Sequence, residues 1–258
     1  MVFTFLALVL AGLLFLSMLV LMEAGRVVGS RQRARDAEGS HAGVGVVEGS
    51  VFGLLGLLMA FTFSGAAARF SERKHLIVEE VNAIGTAWKR IDLLPPDAQP
   101  GIRDGFRRYL DARIAAYGKL SDLKAAAEEF TKAELAGKET WAKAAAATRP
   151  ETVTPARALI LPAMNQMFDI AETRRLATWM HPPLIIYVML AVLALSGALL
   201  AGYGMAGGRS RNWIHMVAFS LTIAFAAYVI IDLEYPRLGV IRVDYFDRAL
   251  VELRATMQ

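Results

Sequence analysis

Residues 46–94 read VVEGSVFGLLGLLMAFTFSGAAARFSERKHLIVEEVNAIGTAWKRIDLL, and this stretch decides the architecture. From Val46 to Ala68 it is apolar apart from Glu48, long enough to cross a hydrocarbon core of ~30 Å. Beyond Arg69 it turns charged, yet no proline or paired glycine interrupts it between Val51 and Leu94. The spacing therefore predicts one helical rod ~60 Å long, half of it crossing a bilayer and half projecting beyond. On the projecting half, Ile77, Val81, Ile84, Trp88 and Ile91 recur at alternating steps of four and three, the seam of a packed helix. Pro95 and Pro96 end the rod, because each lacks an amide donor and disfavours helix in the residue before it.

Working outward, three more apolar spans flank this one. Phe3–Met22 is uncharged throughout. No Lys or Arg precedes it and it exceeds an ordinary signal h-region, so it reads as a retained membrane helix. A polar loop is expected over Glu23–His41, and the second span from near Gly43. Leu184–Met205 and Trp213–Ile231 form the third and fourth spans, separated by GYGMAGGRSRN. Between the pairs, three further helices are expected after the rod: around Asp104–Tyr117, over Ser121–Thr148 with Ser121 as cap, and from Thr154–Pro155 to about Met180 with a kink at Pro162. The tail is charged, but Val243, Phe246, Leu250 and Leu253 repeat at helical spacing, so it should dock. The expected organisation is all-α: residues 1–66 a first transmembrane pair, 67–181 a helical extramembrane domain, 182–232 a second pair, and 233–258 a tail packing on the helical domain.

Composition agrees with this segregation, since 55% of the 258 residues are hydrophobic while 20% are charged. A formal charge of +4 is too small and dispersed for a nucleic-acid footprint. The absence of cysteine excludes disulfides and thiolate chemistry. Basic residues lie on both sides of the spans. Arg26, Arg31, Arg33, Arg35, Arg209 and Arg211 flank one face; Arg69, Arg73, Lys74, Arg174, Arg175, Arg237, Arg242 and Arg248 flank the other, so charge alone leaves the orientation open.

Catalytic chemistry finds little footing. His181 and His215 begin consecutive antiparallel spans and so fall at opposite membrane faces, against a shared haem or metal, and His41 and His75 are interfacial or solvated. Glu79 and Glu80 are adjacent on a helix and do not face each other; a solvated helix face is expected there. There is no nucleophile elbow, P-loop or dinucleotide fingerprint. Apart from Glu48 near the start of the second span and Asp232 at the end of the fourth, the spans lack buried ionisable residues, against a coupled transporter. No enzyme activity and no cofactor are expected.

The second span carries the most information. Gly45, Gly49, Gly53, Leu57, Phe61 and Gly65 follow one another every four residues, beside a second stripe of Phe52, Gly56, Ala60, Ser64 and Ala68. One reading is a packing helix, with Gly45, Gly49, Gly56 and Ala60 allowing close backbone approach. The other is a pore helix lined by Gly53, Leu57, Phe61 and Ser64, with a hydrophobic constriction at Leu57 and Phe61 that gates by dewetting.

The segment GLLMAFTFSGAAARFSERKHLIVEEVNAIGTAWKR resembles the second span and following helix of bestrophins, especially the bacterial ones. Arg69, Phe70, Glu72 and Asn82 stand at the matching positions. IDLEYPRLG resembles the element after the last bestrophin span, through Asp232, Glu234, Pro236 and Gly239, with one residue extra before the glycine. The order of GLLGLLMAFTFSGAAARF, NAIGTAW, DLLP, HPP and DLEYPRLGVIRVD is similar to that in a large set of bacterial membrane proteins with bestrophin-like domains. The resemblance implies a multi-pass protein of the bacterial inner membrane, a homo-oligomer, pentameric in bestrophins, passing small anions along its second spans, with the helical domain in the cytoplasm. It also implies that Phe61 and Leu57 match the last and middle rings of the bestrophin neck, while Gly53 departs from the bulky first ring. The calcium-binding acidic cluster of the animal proteins is only loosely echoed by Asp232, Glu234, Asp244 and Asp247, and no calcium site is assigned. The alternative to a channel is a non-conducting membrane scaffold or sensor whose helical domain binds a partner.

Overall fold

A computed structural model describes residues 2–35, 44–150, 153–207 and 211–258. His41, Gly43 and Arg209 lie outside the described residues. Within them every regular element is helical: α1 (Val2–Arg35), α2 (Val44–Arg90), α3 (Gln99–Gly118), α4 (Leu123–Ala147), α5 (Thr154–Ala177), α6 (Leu184–Gly204), α7 (Trp213–Glu234) and α8 (Arg248–Thr256), with short 3-10 turns after α2 and α6 and before α8. Four of them, α1, α2, α6 and α7, are long and apolar enough to cross a membrane.

Helix α2 is unbroken over 47 residues, as its lack of breakers requires. A 3-10 turn at Ile91–Leu93 unwinds it just before Pro95. Helix α1, by contrast, runs on to Arg35, so the loop expected from Glu23 is helix over the described part. Glu, Arg and Gln are good helix formers. Arg26 donates to Glu23 at 3.1 Å one turn back, and the Tyr203 hydroxyl donates to Gln32 at 3.1 Å. Polarity marks the end of the apolar stretch, not the end of the helix. The cap of α4 is Asp122, not Ser121: its carboxylate accepts the Lys124 and Ala125 amides at 3.1 Å.

The chain divides into two compact units. The first comprises Met1–Phe70 and His181–Ile241. Here α1 packs along α6 and α7. A Cβ added at Gly25 would fall 2.0 Å from the Leu199 carbonyl oxygen, one at Gly29 2.8 Å from that of Tyr203, and one at Gly202 1.9 Å from that of Met22, so three glycines set the closeness of α1 and α6. Met18, Met22, Leu55, Ala194, Ala198 and Met216 form the adjoining core.

The second unit comprises Ser71–Met180 and Arg242–Gln258. Its core gathers Ile84, Ile91, Ile102, Phe106, Leu110, Ile160, Met164, Met167 and, from α8, Leu250, all buried. Val81, Trp141, Phe168 and Leu253 pack around it. Glu79 faces outward and pairs with His75 at 3.0 Å, but Glu80 is wholly buried, which overturns the solvated face expected for it. Adjacent helical residues point about 100° apart. Arg113 Nε donates to Glu80 Oε1 at 2.7 Å and Arg174 to Oε2 at 2.5 Å. Arg174 also pairs with Asp247 and stacks 3.6 Å from the Tyr117 ring centroid. Arg174 is therefore an interior charge and not a membrane-flanking one. Burial is the largest influence on the Arg113 guanidinium and works against it, yet the Glu80 carboxylate together with the Tyr117 and Tyr109 hydroxyls holds Arg113 above the usual arginine range. Arg73 is likewise buried, donating to the Ala177 and Met180 carbonyls at 3.2 and 3.0 Å at the C-terminal end of α5.

The Tyr109 hydroxyl is buried and makes no hydrogen bond with the described residues. Burial pushes its titration well above the usual tyrosine range. Tyr109→Phe, which removes this unsatisfied group and keeps the ring against Phe168 at 5.8 Å, should leave stability unchanged or raise it by about 1 kcal/mol in thermal unfolding.

Candidate functional site

Two features of the first unit gather the residues that the sequence singles out. The first is the open face of α2. Glu48, Phe52, Leu55, Met59 and Ala66 turn toward the rest of the unit: Phe52 packs edge-on against Phe219 at 5.4 Å, and Leu55 and Ala66 are fully buried. The Glu48 carboxylate lies where a Cβ on Gly204 would be 2.9 Å away, so the one acidic group of this span points to the end of α6. Opposite, Gly45, Gly49, Gly53, Gly56, Leu57, Ala60, Phe61 and Ser64 are all exposed. A Cβ added at Gly45, Gly49, Gly53 or Gly56 would meet nothing within 4 Å. Any close packing by these small residues is therefore against something other than the described residues of this chain. Leu57 and Phe61, 52% and 64% exposed, are the bulky groups that punctuate the small stripe, one turn apart.

This face differs from the other open faces of the unit. Helix α1 exposes Phe5, Leu6, Leu8, Leu10, Leu13 and Leu16, and α6 exposes Leu184, Ile185, Val188 and Val192. Large aliphatic side chains suit lipid tails. A glycine-rich face offers them little area and leaves backbone accessible instead.

The second feature is the junction around the end of α7. That helix continues past Ile231 to Glu234, so Asp232 and Glu234 lie in its last turn and both are wholly buried. The Asp232 carboxylate accepts the Val240 amide at 2.9 and 3.1 Å and the Ile241 amide at 2.7 Å, folding the YPRLG loop back on the helix end. A Cβ on Gly239 would fall 2.0 Å from Asp232 Oδ1, which is why glycine stands there, and Pro236 is buried inside the loop. Glu234 accepts a fork from Arg69 of α2, with Nε at 2.9 Å from Oε1. His181 stacks on Tyr235 at 4.4 Å, with its buried Nδ1 3.5 Å from Glu234 Oε2 and outside hydrogen-bond geometry. Thus Arg69, Asp232, Glu234, Pro236 and Gly239 come together. Glu72 and Asn82 belong to the part of α2 in the second unit and are exposed. Sequence reading missed His181 as a member, although the HPP that opens the third span was its signal. Among the described residues, no three His, Cys, Asp or Glu side chains converge as a metal-holding group.

Comparison with known proteins places these features in a family. The sequence matches the Bestrophin-like domain over residues 11–245. No curated protein is significantly similar in sequence. Among solved structures, a point-substituted bacterial Bestrophin homolog from Klebsiella pneumoniae superposes with a TM-score of 0.66 at 15% identity, covering 93% of this chain and 98% of that one. A second substituted form of the homolog gives 0.64 at 15% identity, over 94% and 97% of the two chains. A structure described as a membrane protein gives 0.63 at 15% identity, over 94% and 99%. At such identity these likenesses establish the fold, and the domain match, which spans most of the sequence, establishes the kinship. The chain is a member of the bestrophin-like family of membrane proteins.

Proposed function

We propose that this protein is an oligomeric, passive anion channel, pentameric as bestrophins are, in which the open face of α2 lines the pore. The observation that carries the reading is the contrast between faces. Of the four long apolar helices, α2 alone among the described residues exposes four glycines with open space before them, Gly45, Gly49, Gly53 and Gly56, in line with exposed Leu57 and Phe61 and beside Val46, Leu54 and Phe63, where α1 and α6 expose mainly large Leu, Val and Ile. In a ring of copies, Leu57 and Phe61 form two stacked apolar collars, one turn apart, able to expel water when narrow and to pass a hydrated anion when spread. Gly53 adds no collar, so the constriction is shorter than a three-ring neck. Ser64 supplies a hydroxyl one turn beyond Phe61, where an ion leaving the collar is rehydrated.

Purified protein in liposomes should release chloride, and Phe61→Ala should raise the release rate several-fold while leaving the oligomer intact on size exclusion. A folded oligomer that is silent for chloride and for other small anions, with or without Phe61, would sink the channel reading. It would leave the scaffold or sensor as the function.

A further inference from the structure

The bestrophin fold raises the question of a calcium clasp in the acidic element after the last span, and the side chains here answer it differently. We infer that this element is a metal-independent clasp, in which the Arg69 guanidinium and two main-chain amides occupy the carboxylates that a divalent cation would need. Both Asp232 oxygens are engaged by the Val240 and Ile241 amides, and the backbone at Gly239 closes so tightly on the carboxylate that not even a Cβ would fit. Glu234 is wholly buried and forked by Arg69. In the second unit, Asp244 pairs with Arg242 at 2.8 Å and Asp247 pairs with Arg174. Calcium takes six to eight oxygen ligands at about 2.3–2.6 Å. Here each candidate carboxylate is already paired with an N–H donor, and three of those donors, Arg69, Arg242 and Arg174, carry full positive charge.

The consequence concerns regulation. Arg69 belongs to α2, eight residues beyond Phe61, and Glu234 to α7, so the pair ties the candidate pore helix to the end of the last span by a bond that does not depend on a diffusible ion. The clasp is then set permanently, and changes in calcium do not loosen it. This inference stands whether or not the protein conducts.

The test is thermal unfolding and calcium binding of the purified full chain in mild detergent, in EGTA and in ~1 mM calcium. The unfolding midpoint should agree within about 1 °C between the two, whereas a site half-saturated near ~10 μM would raise it by several degrees. Saturable binding in equilibrium dialysis with radioactive calcium, half-complete below about 1 mM and abolished by Asp232→Asn or Glu234→Gln, would overturn the inference. Absence of saturable binding supports it. So does binding that both variants retain, because the ion is then held by other groups.

Discussion

Glu80→Ala should destabilise the helical unit by about 3–5 kcal/mol, enough to abolish its cooperative unfolding or to lower the midpoint by many degrees. The reason is what it leaves behind. Arg113 and Arg174 have side chains 5% and 3% exposed, and without Glu80 their guanidiniums keep the Tyr117 hydroxyl, the Ala171 carbonyl, Asp247 and the faces of the Tyr117 and Phe130 rings, leaving two cations with one carboxylate. An uncompensated interior cation costs far more than the intact pair contributes. Glu79→Ala, one residue earlier, removes only an exposed contact to His75 and should change stability by less than about 0.5 kcal/mol. Differential scanning fluorimetry on the two variants side by side decides the matter: equal midpoints would mean that Glu80 is not the centre of a buried network.

Gly202→Val carries the second large effect. Its Cβ would sit 1.9 Å from the Met22 carbonyl oxygen, a main-chain atom that cannot rotate away, so α1 and α6 must separate along their length. The loss should be about 3 kcal/mol, the upper end of overpacking costs because the obstacle is backbone, read as failure to accumulate in the membrane or as a lowered unfolding midpoint. Gly53→Val is the informative contrast. Its Cβ meets nothing within 4 Å among the described residues, so stability should hold while anion release falls, because the substitution adds a side chain to the face assigned to the pore. A Gly202→Val protein as stable as wild type would remove the close α1–α6 approach; a Gly53→Val protein with unchanged release would remove that position from the conduction path.

These two glycines show why one stripe was legible and another was not. The α2 stripe announces itself by repeating every four residues, yet its meaning lies in what it faces. Gly25 and Gly29 of α1 are also four residues apart, but a single pair in a charged stretch is a weak signal, and it matters, like Gly202, because a backbone from 170 or more residues away arrives against it. The same holds for the ion network: Glu80 finds Arg113 and Arg174 at separations of 33 and 94 residues, which no local pattern encodes. At the α7 junction the order DLEYPRLG was readable, and its amide-filled Asp232 was not, since an acidic residue at a helix end fits a metal, a salt bridge or a loop equally well.

By itself, then, the sequence determined the four apolar spans, the unbroken α2 rod, its end at Pro95 and the helical tail, because hydropathy, backbone breakers and periodicity act over a few turns. Only the tertiary structure decided that α1 stays helical to Arg35, that Glu80 is interior, that α1 and α6 meet on glycine, and that α2 keeps its small-residue face open. Each of these depends on which distant surface is brought against a residue, and burial, ion pairing and close approach are properties of that meeting, set by long-range packing and not by the local chain.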